Sequence, residues 1–203
     1  MTHRVDPVTH VVNIDDLRPT QFSVGMYEVK EKVESFRLKS KEKEAEFIGS
    51  HLVPVVLGYE GKMFLVDHHH LCRALHEDGQ KHVLVSIIAD LSMLPRDSFW
   101  FVMEQHNWCF LFDENGERKT HNELPKHVKN LINDPYRSLA GCLRKAGGYS
   151  KNITPFSEFL WAEFLRRHIK GDIDNNMEKK IKKAIEVAKT KDASYLPGWC
   201  GPN

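Results

Sequence analysis

Two apolar runs separated by a short polar turn constrain this chain more than any other feature. Residues 52–57 are apolar and rich in valine, residues 63–66 form a second such run, and Gly58-Tyr59-Glu60-Gly61-Lys62 lies between them. Runs of this length and composition, bounded by a glycine-containing turn, read as a β-hairpin. The second strand stops at Asp67, and residues 69–76 continue at helical spacing towards Gly79, a C-cap glycine. The hairpin therefore hands the chain from sheet to helix through Asp67-His68-His69-His70.

The surrounding pattern predicts a mixed fold. Residues 10–17 alternate weakly as a first strand that stops at Arg18-Pro19, because proline cannot continue a ladder. Residues 26–43 place Val29, Val33 and Phe36 at helical spacing among charged residues, which predicts a surface helix. Residues 81–89 form a further strand, dense enough in apolar residues to be buried on both faces. Residues 97–108 look helical and aromatic, and the chain beyond Glu123 reads as three helical segments. These are about 125–144 with a break at Asp134-Pro135, a second opening at Thr154-Pro155 with proline at its first helical position, and 176–189. The expected fold class is α+β: a mixed α/β domain over residues 11–94, with a helical extension over 95–203 packed on its open sheet face.

Composition narrows the function classes. With 41% hydrophobic and 28% charged residues, the 203-residue chain matches a globular protein and not a disordered one. No apolar run approaches the roughly 20 residues that span a bilayer, and the first sixteen residues hold no apolar core of a secretory signal. The four cysteines, Cys72, Cys109, Cys142 and Cys200, show no paired metal-ligand spacing, so reduced thiols in a cytoplasm are expected. A formal net charge of +1 does not favour nucleic acid as a partner. Lys179, Lys180, Lys182 and Lys183 alternate with an apolar helical stripe and read as a solvated face.

Chemistry concentrates at the histidine corner. The first amides of a helix have no internal partner, and the macrodipole puts about half a positive charge there, so phosphate oxygens suit the place. Imidazoles beside it can donate to an anion or move protons near neutral pH. In one reading His69 and His70 hold a phosphoryl group while Asp67 caps the helix or acts as base. In another, Asp67 and two histidines bind a divalent metal. Neighbouring helical residues point about 100° apart, which disfavours two adjacent histidines on one metal. In the plainest reading Asp67 caps the helix and the histidines are simply exposed.

The segment Leu17-Arg18-Pro19-Thr20-Gln21, then Val24-Gly25-Met26, Pro54-Val55 and Leu65 to His70, resembles the ParB/sulfiredoxin-like superfamily. Residues 134–139 and 155–161 resemble its ParB-like nuclease branch, so the likeness spans about residues 11–168. The resemblance implies a small mixed sheet with helices that binds nucleotide phosphates at this corner. His68 stands where the superfamily usually has glycine, His69 at its variable reactive position, His70 at its first His or Arg, and Leu71 where arginine is common. Without cysteine at His69, sulfinic-acid reductase chemistry is not supported. Without glutamate there and paired arginines after it, the resemblance does not extend to a CTP-hydrolysing clamp.

Arg18 and Gln21 follow the first strand, where Arg18 can clamp phosphate bidentately, and Lys30 adds charge from the next helix. Arg137 is a further phosphate candidate or the member of a structural ion pair, and Cys72 is expected to be a buried, inert thiol. The combined expectation is a nucleotide-phosphate-binding protein acting as a phosphotransferase or phosphohydrolase. Asp67, His69 and His70 are its catalytic residues; Arg18, Gln21, Lys30, His68 and Arg137 bind phosphate; a nucleoside triphosphate with Mg²⁺ is the ligand. The alternatives are a non-catalytic nucleotide sensor and a metal-dependent nuclease.

Overall fold

The computed structural model describes residues 9–38, 47 and 49–202. The strands of its larger sheet are β1 (Thr9–Asn13), β2 (Leu17–Pro19), β3 (Val53–Leu57), β4 (Met63–Leu65) and β5 (His82–Asp90). Its helices are α1 (Met26–Arg37), α2 (His69–Glu77), α3 (Arg96–Gln105), α4 (Pro135–Lys145), α5 (Ser157–His168) and α6 (Met177–Ala188). The chain divides into two compact units. The first comprises the chain up to Phe22, Val29–Asp113 and Glu117–Ile132; the second comprises Ser23–Glu28, Glu114–Gly116 and the chain from Asn133 onward.

The first unit holds a five-stranded sheet in the order β1-β5-β3-β4-β2. The hairpin forms as expected, with β3 antiparallel to β4. β5 joins β1 antiparallel and β3 parallel, while β2 runs parallel to β4 with Arg18 opposite Phe64 and Pro19 opposite Leu65. The sheet is therefore mixed, which is consistent with the expected α+β class. Proline is tolerated in β2 because that strand lies at the sheet edge. Phe64 and Val56 of the sheet pack against Phe99, Trp100 and Met103 of α3 in one buried cluster.

Five expectations need correction. The strand expected over 10–17 is interrupted by a 3-10 turn at Ile14–Asp16, because the Asn13 side chain accepts from Asp15 N–H at 2.9 Å and turns the chain before it re-enters the sheet as β2. β5 is not buried on both faces: Val83 and Val85 are buried, whereas Ile88 is 44% exposed. Residues 125–133 are not helical beyond a single 3-10 turn at Val128–Asn130. Arg73 holds the carbonyls of Val128, Lys129 and Leu131, which spends on a side chain the acceptors a helix would use internally. α5 begins at Ser157, two residues after the expected proline start, because Phe156 takes a left-handed backbone (φ 57°) at its N-cap. The surface helix α1 ends at Arg37, short of its expected range, and Leu38 is a turn; residues 39–43 lie outside the described residues.

In the second unit, Leu139, Leu143, Trp161, Phe164 and Leu165 form a core joined by Ala184 and Ala188 of α6. The C-terminal segment docks on this unit: Trp161 Nε1 donates to the Pro197 carbonyl at 2.8 Å, and Ser150 N–H donates to the Gly198 carbonyl at 2.8 Å. Gly198 has φ +75°, and a Cβ there would lie 2.1 Å from the Ser150 carbonyl oxygen, so only glycine fits. No helix among the described residues is long and apolar enough to cross a membrane.

Candidate functional site

Two adjacent parallel strands end side by side. β2 releases the chain at Thr20, β4 releases it at Val66, and the carboxyl ends of paired parallel strands are where open sheets place their ligands. Thr20 joins the two exits. Its hydroxyl donates to the Leu65 carbonyl at 2.6 Å, and its backbone N–H donates to His69 Nε2 at 3.2 Å. An accepting Nε2 leaves the ring proton on Nδ1. His69 is therefore buried, at 4% exposure, and ties the first turn of α2 to the end of β2. Thr20, missed by the sequence reading, is the residue that braces the corner. Its position just beyond a strand-ending proline is the one local signal that marked it.

His68 is the N-cap of α2 and adopts a left-handed backbone, φ 66° and ψ 24°. Glycine enters this region freely, while an L-residue pays about 1–2 kcal/mol, so the expected glycine position coincides with a backbone that favours glycine. The cap provides no side-chain hydrogen bond to the first turn. Asp67 does not cap the helix either: its Oδ1 accepts from the N–H of the next residue, His68, at 2.6 Å, because the left-handed turn carries the carboxylate to that amide. Among the described residues, His68 Nδ1 is buried without a hydrogen-bond partner. Asp67 is exposed, His70 is half-buried, and Leu71 is turned into the core at 6% exposure. The corner thus presents a carboxylate, an imidazole with an unpartnered nitrogen, and a second half-buried imidazole at a helix N-terminus.

Cys72, one turn further on, is wholly buried, and desolvation, with the Asp67 charge added, pushes its thiol up to about 12. The expectation of an inert thiol fits this environment. None of the four cysteines is in a disulfide.

The remaining candidates are dispersed. Arg18 sits on β2 and donates from Nη1 to the Lys126 carbonyl at 2.6 Å, leaving other guanidinium donors for a ligand. Gln21 is buried, forming a parallel bridge with Phe110, and Lys30 is exposed on α1. Arg137 belongs to the second unit. It is 5% exposed, its guanidinium carbon lies 3.4 Å from the Phe159 ring centroid, and its Nη2 is 4.0 Å from Glu158 Oε2. Burial pulls its pKa down, while Glu158 and Asp134 raise it. Arg73, not singled out from the sequence, organises the first unit: besides its three carbonyls it pairs with Glu77 at 2.8 Å. Among the described residues no three His, Cys, Asp or Glu side chains are placed to hold a metal ion.

Comparison with known proteins places this geometry. The family described as "Putative ParB-like nuclease" matches residues 10–167. The crystal structure of protein Atu1540 from Agrobacterium tumefaciens is similar at 45% sequence identity and a TM-score of 0.91, covering 98% of this chain and 100% of that one. Comparison with the curated proteins gives no match.

Proposed function

The chain belongs to the ParB-like nuclease family, and on that premise we propose that its 67–70 corner binds the phosphate chain of a nucleotide and acts on a phosphoryl or phosphodiester bond. One observation carries the reading: His68 combines a left-handed backbone with a buried, unpartnered Nδ1 at the start of a helix. Each feature costs stability, and costs of this kind gather at ligand sites. A phosphate oxygen at the α2 N-terminus supplies the missing partner and meets the helix dipole.

In this reading His68 and His70 contact the phosphate and Asp67 orients or deprotonates the attacking group. Arg18 clamps with its remaining donors, and Gln21, beside the Thr20 brace, completes the wall. His69, already engaged by Thr20, sets the position of the first turn. Mg²⁺ bound with the nucleotide would neutralise charge, with Asp67 as the protein carboxylate and phosphate oxygens as further ligands. Four cysteines outside any disulfide suit a reducing cytoplasm.

The burial of Leu71 favours a second reading, a nucleotide sensor without turnover. In the superfamily this position is often arginine, and here its side chain is in the core. Calorimetric titration with ATP and with CTP, each with and without Mg²⁺, together with phosphate release, separates the two. The enzyme reading expects binding and turnover, both lost in His70→Ala with an unchanged melting temperature. Saturable binding without turnover on nucleotide or nucleic acid selects the sensor. Absence of nucleotide binding overturns both.

A further inference from the structure

We infer that a lysine-lined concavity on α6 is a docking surface for the phosphodiester chain of a nucleic acid. The overall charge of +1 averages two opposite halves. Residues 133–203 hold 13 Lys and Arg against 8 Asp and Glu, a net +5, while residues 1–132 hold 16 against 20, a net −4. Such an asymmetry is the pattern expected of a local polyanion site. The second unit shapes part of this excess into a concavity of about 570 Å³, lined by Lys179, Lys180, Lys182 and Lys183 with Asp172 and Glu186.

The lining groups are not equivalent. Lys180 Nζ donates to the Lys170 carbonyl and is committed. The Asp172 carboxylate accepts from Asn175 N–H at 3.1 Å and from Asn175 Nδ2 at 2.7 Å, and these bonds hold it below the usual carboxylate range. Lys179, Lys182 and Lys183 are exposed and, among the described residues, have no ion-pair partner. Spaced three and four apart, they share one helix face. The opposite face supplies Met177, Ala184 and Ala188 to the core, with Ile181 and Ile185 packed beside it.

That disposition decides between two anionic partners. A helix that enters a bilayer interface keeps an exposed apolar face for the lipid, and α6 has spent its own inside the unit. A chain of phosphates needs only the cations. The surface lies beyond residues 10–167, which the family matches, and does not depend on the reading of the histidine corner.

Fluorescence anisotropy with a short labelled DNA single strand and its duplex tests this. Three lysine–phosphate contacts should lower affinity about 20-fold for the single strand and about 40-fold for the duplex between about 50 and about 200 mM salt. The triple variant Lys179→Glu, Lys182→Glu, Lys183→Glu should lose binding while Lys81→Glu, a charge reversal at an exposed residue of the first unit, retains it. Should the triple variant melt early, single Lys→Gln variants replace it, each expected to flatten the log–log salt slope by roughly 0.7–0.9. Wild-type binding that ignores salt, undiminished binding in the lysine variants, or capture by phosphatidylserine vesicles with none by DNA would each overturn the proposal.

Discussion

Replacing His68 with glycine is expected to make the protein more stable and, if the corner binds phosphate as proposed, to weaken that binding. The backbone at His68 is left-handed, φ 66°, and its Nδ1 is buried without a partner. Relief of the left-handed conformation contributes about 1–2 kcal/mol, less roughly 0.5–1 kcal/mol for the greater freedom glycine gives the unfolded chain. Removing an unsatisfied buried nitrogen adds about 1–3 kcal/mol, partly offset by the loss of the half-buried ring's contacts. A net gain of about 1–2 kcal/mol corresponds to a melting temperature higher by about 2–8 °C for a chain of this size. If a phosphate oxygen supplies the missing partner, glycine also removes a hydrogen bond to a charged group, about 1.5–3 kcal/mol, or about 10- to 150-fold in nucleotide affinity. Thermal melts and nucleotide titrations of wild type, His68→Gly and His68→Ala give both quantities. Alanine removes the ring but keeps the strained backbone, so glycine should exceed it by about 1 kcal/mol. A glycine variant no more stable than the alanine variant, or one that binds nucleotide as wild type does, would refute the reasoning.

Arg73→Ala should free the carbonyls at 128–131, lowering stability by about 2–4 kcal/mol and opening Lys126 and Lys129 to trypsin, seen as early cleavage in limited digestion. Burial pushes the Cys72 and Cys109 thiols up to about 12. The unfolded chain ionises these thiols first, so stability held below about pH 8.5 should fall above it by about 1.4 kcal/mol per pH unit for each thiol. Urea melts of wild type and the double alanine variant should show the steeper alkaline loss in wild type. Arg137→Met is expected to leave stability unchanged or raise it by up to about 2 kcal/mol, because an apolar chain of similar volume avoids desolvating a cation while Glu158 keeps Arg144 at 2.9 Å. A loss above about 3 kcal/mol in denaturant melts would make Arg137 a structural element.

The sequence was most legible where structure is local. The hairpin, α2 and α6 follow from apolar periodicity and turn residues within a few positions, and each formed close to its expected bounds. The start of α2 was equally legible, but the left-handed turn at His68 was not, because histidine does not advertise positive φ as glycine does. The failures share a non-local or side-chain cause. Residues 125–133 carry a helical composition, and it is Arg73, more than fifty positions away, that claims their carbonyls. Thr20 braces the corner through Leu65 and His69, partners without periodic spacing. Docking of the C-terminal segment rests on indole N–H groups, Trp161 to Pro197 and Trp199 to Ala188, which residue patterning cannot foresee.

Buried polar groups in this protein mostly find partners, and the exceptions therefore carry information. Tyr149 Oη donates to the Ala140 carbonyl, Thr20 satisfies both its donors, and Asp134 caps α4 while pairing with Arg166 at 2.7 Å. Against that background Trp100 Nε1, Arg166 Nε, two Arg137 nitrogens and His68 Nδ1 stand unpartnered among the described residues. Trp100 lies within the regular backbone of α3 in an aromatic cluster, and Arg166 keeps two ion pairs through its other nitrogens. Arg137 has its face covered by Phe159. Among the described residues, an unpartnered nitrogen coincides with a left-handed backbone at His68 alone. Each costs stability that a small change of sequence would recover, in a protein class whose total margin is about 5–15 kcal/mol. Thr20 ties the neighbouring chain to His69 and to the Leu65 carbonyl. A ligand that donates or accepts at that nitrogen is what would lower the energy of the arrangement as it stands.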